Sequence, residues 1–219
     1  RRRPRWADAG CRRGDVAHHL GAISVGRGQV VGEGLGRHLH VPLQSGDDSI
    51  LSAMRRPYRS AFYADLLDRL ADRIPGIGIG ADVMVGFPGE SEAAFRNTVG
   101  LVESSPLVFL HVFPYSPRGN TPAAKLSDNV GPAVRKQRGA ELRELAKSKT
   151  EVFQRQFLGQ PLDVLFEGRR EAQTGLLQGV TDNYIRVFSP GPDAAKDTVL
   201  PVTLSHIEAE RVIGEISQG

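Results

Sequence analysis

Leu39, Val41 and Leu43 alternate with His38, His40, Pro42 and Gln44, the period-two pattern of a strand that buries one face. The chain then breaks at Gln44, Ser45 and Gly46. Asp47 or Asp48 is placed to cap a helix from Ile50 to Arg56 that stops near Pro57. Phe62, Leu66, Leu67 and Leu70 recur at helical spacing and predict an amphipathic helix ended by Pro75 and Gly76. Ile77 to Val85 is mostly apolar, as in a strand buried on both faces of a parallel sheet. Gly86 to Glu90 makes the next turn, and Glu90 to Ser104 a helix with Phe95, Val99 and Val102 inward. Leu107 to Phe113 reads as a third strand, closed by the Pro- and Gly-rich run 114–122.

Three β-loop-α units from 38 to 122 imply a parallel sheet covered by helices. Such sheets, open or closed into barrels, bind ligands at the carboxyl ends of their strands. The three unusual loops, 44–48, 86–90 and 114–122, all fall there and predict one composite site. From Val130 to about Phe157 runs a long polar helix with seven basic and three acidic residues. Beyond it, Gln160–Glu167, Gly175–Gly179, Asn183–Phe188 and Thr198–Ile207 read as short strands separated by turn residues, a small all-β barrel. Alternation in the third of these puts Ile185 and Val187 on one side and Tyr184, Arg186 and Phe188 on the other.

Composition changes this picture little. The 219 residues are 40% hydrophobic and 24% charged, and no apolar stretch approaches the ~20 residues of a membrane helix. A single cysteine excludes a disulfide framework and any cysteine-only metal site, and a reducing cytoplasm is the expected location. Charge is uneven. Residues 1–37 hold eight Arg, no Lys and three acids, or +5, against +3 for the whole chain, so the remainder sums to about −2. This segment, with eight Gly and no periodicity, reads as an unassigned disordered or out-of-frame leader; a basic nucleic-acid arm is the other reading.

Several side chains suggest chemistry. Gln44 and Ser45, just past a strand end, suit either a ribose or amino-acid group of a cofactor or the backbone of their own turn. Gly86 and Gly89 let backbone approach a ligand closely or simply make a tight turn, and the Lys-Ser/Thr of a phosphate loop is missing. Asp82 inside an apolar strand is costly unless paired or facing a site. His38, His40 and His111 invite a metal, yet no carboxylate or cysteine lies at ligand spacing in the sequence. Structural parts are expected for them, and no metal ligand is assigned.

Three longer motifs carry a resemblance. His38 to Asp48 with Met54 to Tyr58, Ala81 to Glu90, and Tyr115 to Arg118 with Thr121 to Ala124 resemble the middle of the radical S-adenosylmethionine tRNA methylthiotransferases. Gly179 to Val187 resembles the RNA-binding TRAM module of the same enzymes. The resemblance implies the C-terminal half of a partial radical SAM barrel over 38–157, then an OB-like TRAM barrel over 158–217. It implies addition of a methylthio group to C2 of a modified adenosine beside the anticodon. Leu110 to Ser116 and Gln44 to Asp48 favour the branch acting on N6-threonylcarbamoyladenosine, with the isopentenyladenosine branch as the alternative. S-adenosyl-L-methionine is the implied cofactor, with Gln44, Ser45 and Gly46 on its ribose and methionine side. Asp82 and Gly86 to Glu90 would form the floor, and Pro117 and Arg118 the adenine side. Tyr184, Arg186 and Phe188 are the implied tRNA contacts.

One departure is large. The family carries two 4Fe-4S clusters held by six cysteines, and this sequence has only Cys11. The sequence thus resembles a C-terminal fragment, monomeric as part of its parent. A half barrel with an unpaired sheet edge is expected to self-associate, and binding tRNA without catalysis is the alternative activity.

Overall fold

The computed structural model describes residues 36–217 apart from 118, 120, 127 and 128. It is a mixed α/β structure, a parallel three-stranded sheet followed by a closed five-stranded barrel. The leader assigned to 1–37 lies outside the described residues except at its end. There Arg37 already belongs to the fold, because its carbonyl accepts the Gly78 N–H and its guanidinium pairs with Asp182.

The sheet consists of β1 (His38–His40), β2 (Gly78–Val85) and β3 (Leu107–Pro114), in that order and all parallel. β1 is shorter than the alternation predicts. Val41 and Leu43 remain buried and donate to the Gly80 and Asp82 carbonyls of β2, and beyond them a bridge joins Gln44 to Val83. Helices α1 (Asp48–Ala53), α2 (Ser60–Arg73) and α3 (Glu92–Ser104) connect the strands. Ile79, Ala81, Val83 and Val85 of β2 are fully or almost fully buried in one core with Leu51, Tyr63, Leu67, Phe95 and Val102. On α2 the inward residue is Tyr63, whose hydroxyl donates to the Val41 carbonyl, while Phe62, expected inside, is exposed. Both occupy the same turn, and the hydrogen bond available to tyrosine decides which one enters.

The long helix α4 (Pro132–Arg155) lies along β3. Its Leu142 joins the sheet core, whereas its Phe153, with Phe157 just beyond it, packs with Val108 into the core of the barrel. That barrel is built from β4 (Pro161–Arg170), β5 (Leu177–Thr181), β6 (Arg186–Ser189), β7 (Val199–Glu208) and β8 (Arg211–Ile216), closed in the order β4-β5-β6-β8-β7. The strand after Ala209 and Glu210 was not expected from the sequence, yet it closes the barrel by pairing with both β6 and β7. Its Gly214 hides the alternation, since a Cβ there would lie 2.6 Å from Val202.

Candidate functional site

The register brings the carboxyl ends of the three strands to one edge of the sheet. Gln44 bridges to Val83, Pro114 pairs with Val85, and the Tyr115 N–H donates to the Val85 carbonyl. Helices cover one face of this sheet. On the other face stand His38 and His40 from β1, Gly78, Gly80, Asp82 and Met84 from β2, and Phe109, His111 and Phe113 from β3. At the amino end of the strands this second face meets the barrel. Tyr184, held at a positive φ of 72°, stacks on His38 with ring centroids 4.1 Å apart and meets Phe109 edge-on. Nearby, Asn183 donates to the Gly76 carbonyl at 3.2 Å. Toward the carboxyl end the face is open.

At the centre of that face Asp82 lies between two histidines. His40 Nε2 is 3.1 Å and His111 Nδ1 3.4 Å from the same carboxylate oxygen. Gly80 makes room for this, because a Cβ there would approach His40 Nδ1 to 3.0 Å. In the sequence this carboxylate lies 42 residues from one histidine and 29 from the other, far outside ligand spacing. The signal was present in register instead, since Asp82 pairs with His111 and stands two residues from Gly80, the partner of His40.

The residues expected at the site divide into two groups. Gln44, at a φ of 68°, is partly exposed at the strand end, as is the side chain of Asp82 on the open face, and Pro117 is exposed on the third loop. The others are taken up by the fold. Ser45 is fully buried, with its hydroxyl 3.3 Å from that of Thr98 and accepting the Asp47 N–H. Gly46 donates to Thr98 Oγ1 at 2.9 Å, and a Cβ at Gly46 would lie 2.6 Å from the Thr98 backbone. Ser45 and Gly46 therefore seat the loop on α3 and leave no side-chain surface for a ligand. Gly86, at a φ of 74°, lies beneath the side chain of Arg135. Glu90 is buried, accepting from the Gly86 N–H at 2.8 Å and from Arg138 at 2.7 Å. Burial pushes its carboxyl up, and those two donors pull it back only in part. Arg118 lies outside the described residues.

The capping expectation resolves in favour of Asp47, whose carboxylate accepts from the Ser49 and Ile50 N–H groups and from the Ser49 hydroxyl. Asp48 instead accepts the Ser60 N–H at the start of α2. On the barrel, Tyr184 and Arg186 present exposed surface, but Phe188 does not. It is buried, and Arg211 lies over its ring. Alternation gives the side of the strand but not what covers it, and here the Arg211 guanidinium stands 5.7 Å from the Phe188 ring centroid.

A 4Fe-4S cluster needs thiolates, and the described residues contain none. The residues present do not fit such a cluster. No helix among the described residues is long and apolar enough to cross a membrane.

No protein-family model matches the chain. Among curated proteins it is 37% identical over 158 residues to the threonylcarbamoyladenosine tRNA methylthiotransferase MtaB of Bacillus subtilis, covering 71% of this chain and 35% of that protein. It is 41% identical over 147 residues to the tRNA-2-methylthio-N(6)-dimethylallyladenosine synthase of Pseudomonas savastanoi, covering 67% of this chain and 33% of that protein. The synthase of the same name from Anoxybacillus flavithermus is 32% identical over 185 residues, or 84% of this chain and 35% of that protein. The aligned part of the chain belongs to the radical SAM tRNA methylthiotransferase family. It spans about a third of the length of these relatives, and both branch names occur among them.

Proposed function

We propose that the chain is the tRNA-side part of a tRNA methylthiotransferase. In this reading β1 to β3 are a segment of the cofactor-binding barrel, and β4 to β8 form the TRAM-like module that holds the tRNA. The observation that carries it is the one-sided sheet, whose helices cover one face while a polar open face ends at three strand-end loops. A barrel segment has this form, with a lumen on one side and helices on the other. Gln44, Asp82 and Pro117 remain the candidates for contact with S-adenosyl-L-methionine, and Tyr184 and Arg186 for contact with RNA. The wording of Leu110 to Ser116 and Gln44 to Asp48 favours N6-threonylcarbamoyladenosine as the substrate of the parent enzyme. The sequence, with Cys11 as its one cysteine, does not support the reductive chemistry by itself.

Two measurements test this reading. The purified chain is expected to bind tRNA with an affinity that falls steeply with salt, and Arg186→Ala to weaken it. Equal binding to tRNA and to an acidic polymer such as heparin would overturn the RNA assignment. Mass spectrometry of tRNA nucleosides from cells deleted for the gene that encodes this sequence is expected to show loss of the methylthio group from threonylcarbamoyladenosine. Its loss from isopentenyladenosine instead would overturn the branch.

A further inference from the structure

We propose that His40, Asp82 and His111 form a binding site for a divalent transition metal on the open face of the sheet. Each residue comes from a different strand, and the backbone register sets His111 level with Asp82 and His40 two residues back, beside Gly80. One ligand atom from each lies within 4.8 Å of the others. The two edges to the Asp82 oxygen, 3.1 Å from His40 and 3.4 Å from His111, match the spacing a metal imposes. Ligands 2.0–2.1 Å from a tetrahedral ion lie about 3.3 Å apart. The remaining edge, between the two imidazoles, falls within the 4.8 Å that spans the set and has to close toward that spacing. His111 is free to do so, because its side chain is 66% exposed, against 21% for His40 and 28% for Asp82.

Two imidazoles and one carboxylate suit zinc, cobalt, nickel or ferrous iron and not magnesium or calcium, which take oxygen ligands. Three protein ligands on an open face leave the fourth position to water. Without a metal the same geometry serves a His–Asp ion pair, so the competing assignment is an ion pair alone. The site does not depend on the tRNA reading, and its test uses neither tRNA nor S-adenosylmethionine.

The test is a titration of the purified full-length chain with Co2+ alone, followed by its visible absorption, with Zn2+ as competitor. One equivalent is expected to bind, and His40→Ala, Asp82→Asn and His111→Ala are each expected to weaken it at least tenfold. His111→Ala keeps the test valid if the other two fail to fold, since that side chain is mostly in solvent, and circular dichroism checks each variant. His206→Ala, an exposed histidine elsewhere, is expected to leave binding unchanged. Absence of binding would overturn the proposal. So would binding that survives His111→Ala and disappears when Cys11, His18 and His19 are replaced.

Discussion

Asp47 shows how much one carboxylate organises in this molecule. It caps α1, accepts the Asn97 side-chain amide from α3 at 2.7 Å, and so ties the loop after β1 to the helix after β2. Burial, the largest single influence, pushes its carboxyl up, but bonds from the Ser49 hydroxyl, Asn97 and the Ile50 and Ser49 N–H groups together hold it below the ordinary 3.8. A lowered folded-state pKa means that its contribution is complete above about pH 4 and is lost as pH falls further. Asp47→Ala is expected to cost about 1 kcal/mol in urea denaturation at pH 7, and the gap from the native chain should narrow at pH 3. His38 works in the next window up. Burial holds its imidazole below the ordinary 6.5, although the Gly78 carbonyl at 2.7 Å supports a proton. Its contribution is therefore complete above 6.5 and lost on acidification, which charges a ring stacked on Tyr184 beside Phe109 and near His40. Melting temperatures are expected to fall between pH 7 and pH 5, and by less in His38→Phe, which keeps the stack and removes the titration.

At the scale of elements, two contacts decide how the pieces sit. The first is Gly78 against the barrel, where an added Cβ would lie 2.2 Å from the Asn183 carbonyl oxygen. Backbone meets backbone here, so no side chain can move aside. Gly78→Ala is expected to cost about 1–3 kcal/mol and to raise the protease sensitivity of the 182–184 turn. The second is Arg138 of α4, buried with Glu90 and reaching Glu92 at 3.1 Å. Removing one partner strands the other's charge, so Glu90→Leu is expected to cost about 3–5 kcal/mol, and the double change with Arg138→Met much less. Neither contact is legible in sequence. Glu90 followed the expected turn and looked available to a ligand, while the arginine that claims it stands 48 residues on. Local pattern did reveal β2, β3 and α3, whose apolar positions recur along the whole element, and α4, a long polar stretch free of internal proline. It failed for Phe62 against Tyr63, for Phe188 and for β8, where a hydroxyl, a covering arginine or a glycine overrides the pattern.

The described residues form one sheet and one barrel joined through α4. Among the described residues β1 and β3 are the edges of the sheet, and Phe113 near the β3 end is half exposed. Sedimentation velocity of the isolated chain is expected to show concentration-dependent association through these edges, and a monomer at every concentration would contradict this. The motifs of the open face were readable because each lies in one continuous stretch. The His40, Asp82 and His111 cluster was not, because its members meet only when three strands lie side by side. The division of α4 between two cores bears on how such a barrel can be transplanted. Its interior is incomplete at Gln160, since Phe153 and Phe157 fill it from the preceding helix. A barrel grafted onto another protein from residue 158 would carry an open seam, whereas a graft begun near Thr150 brings its own plug.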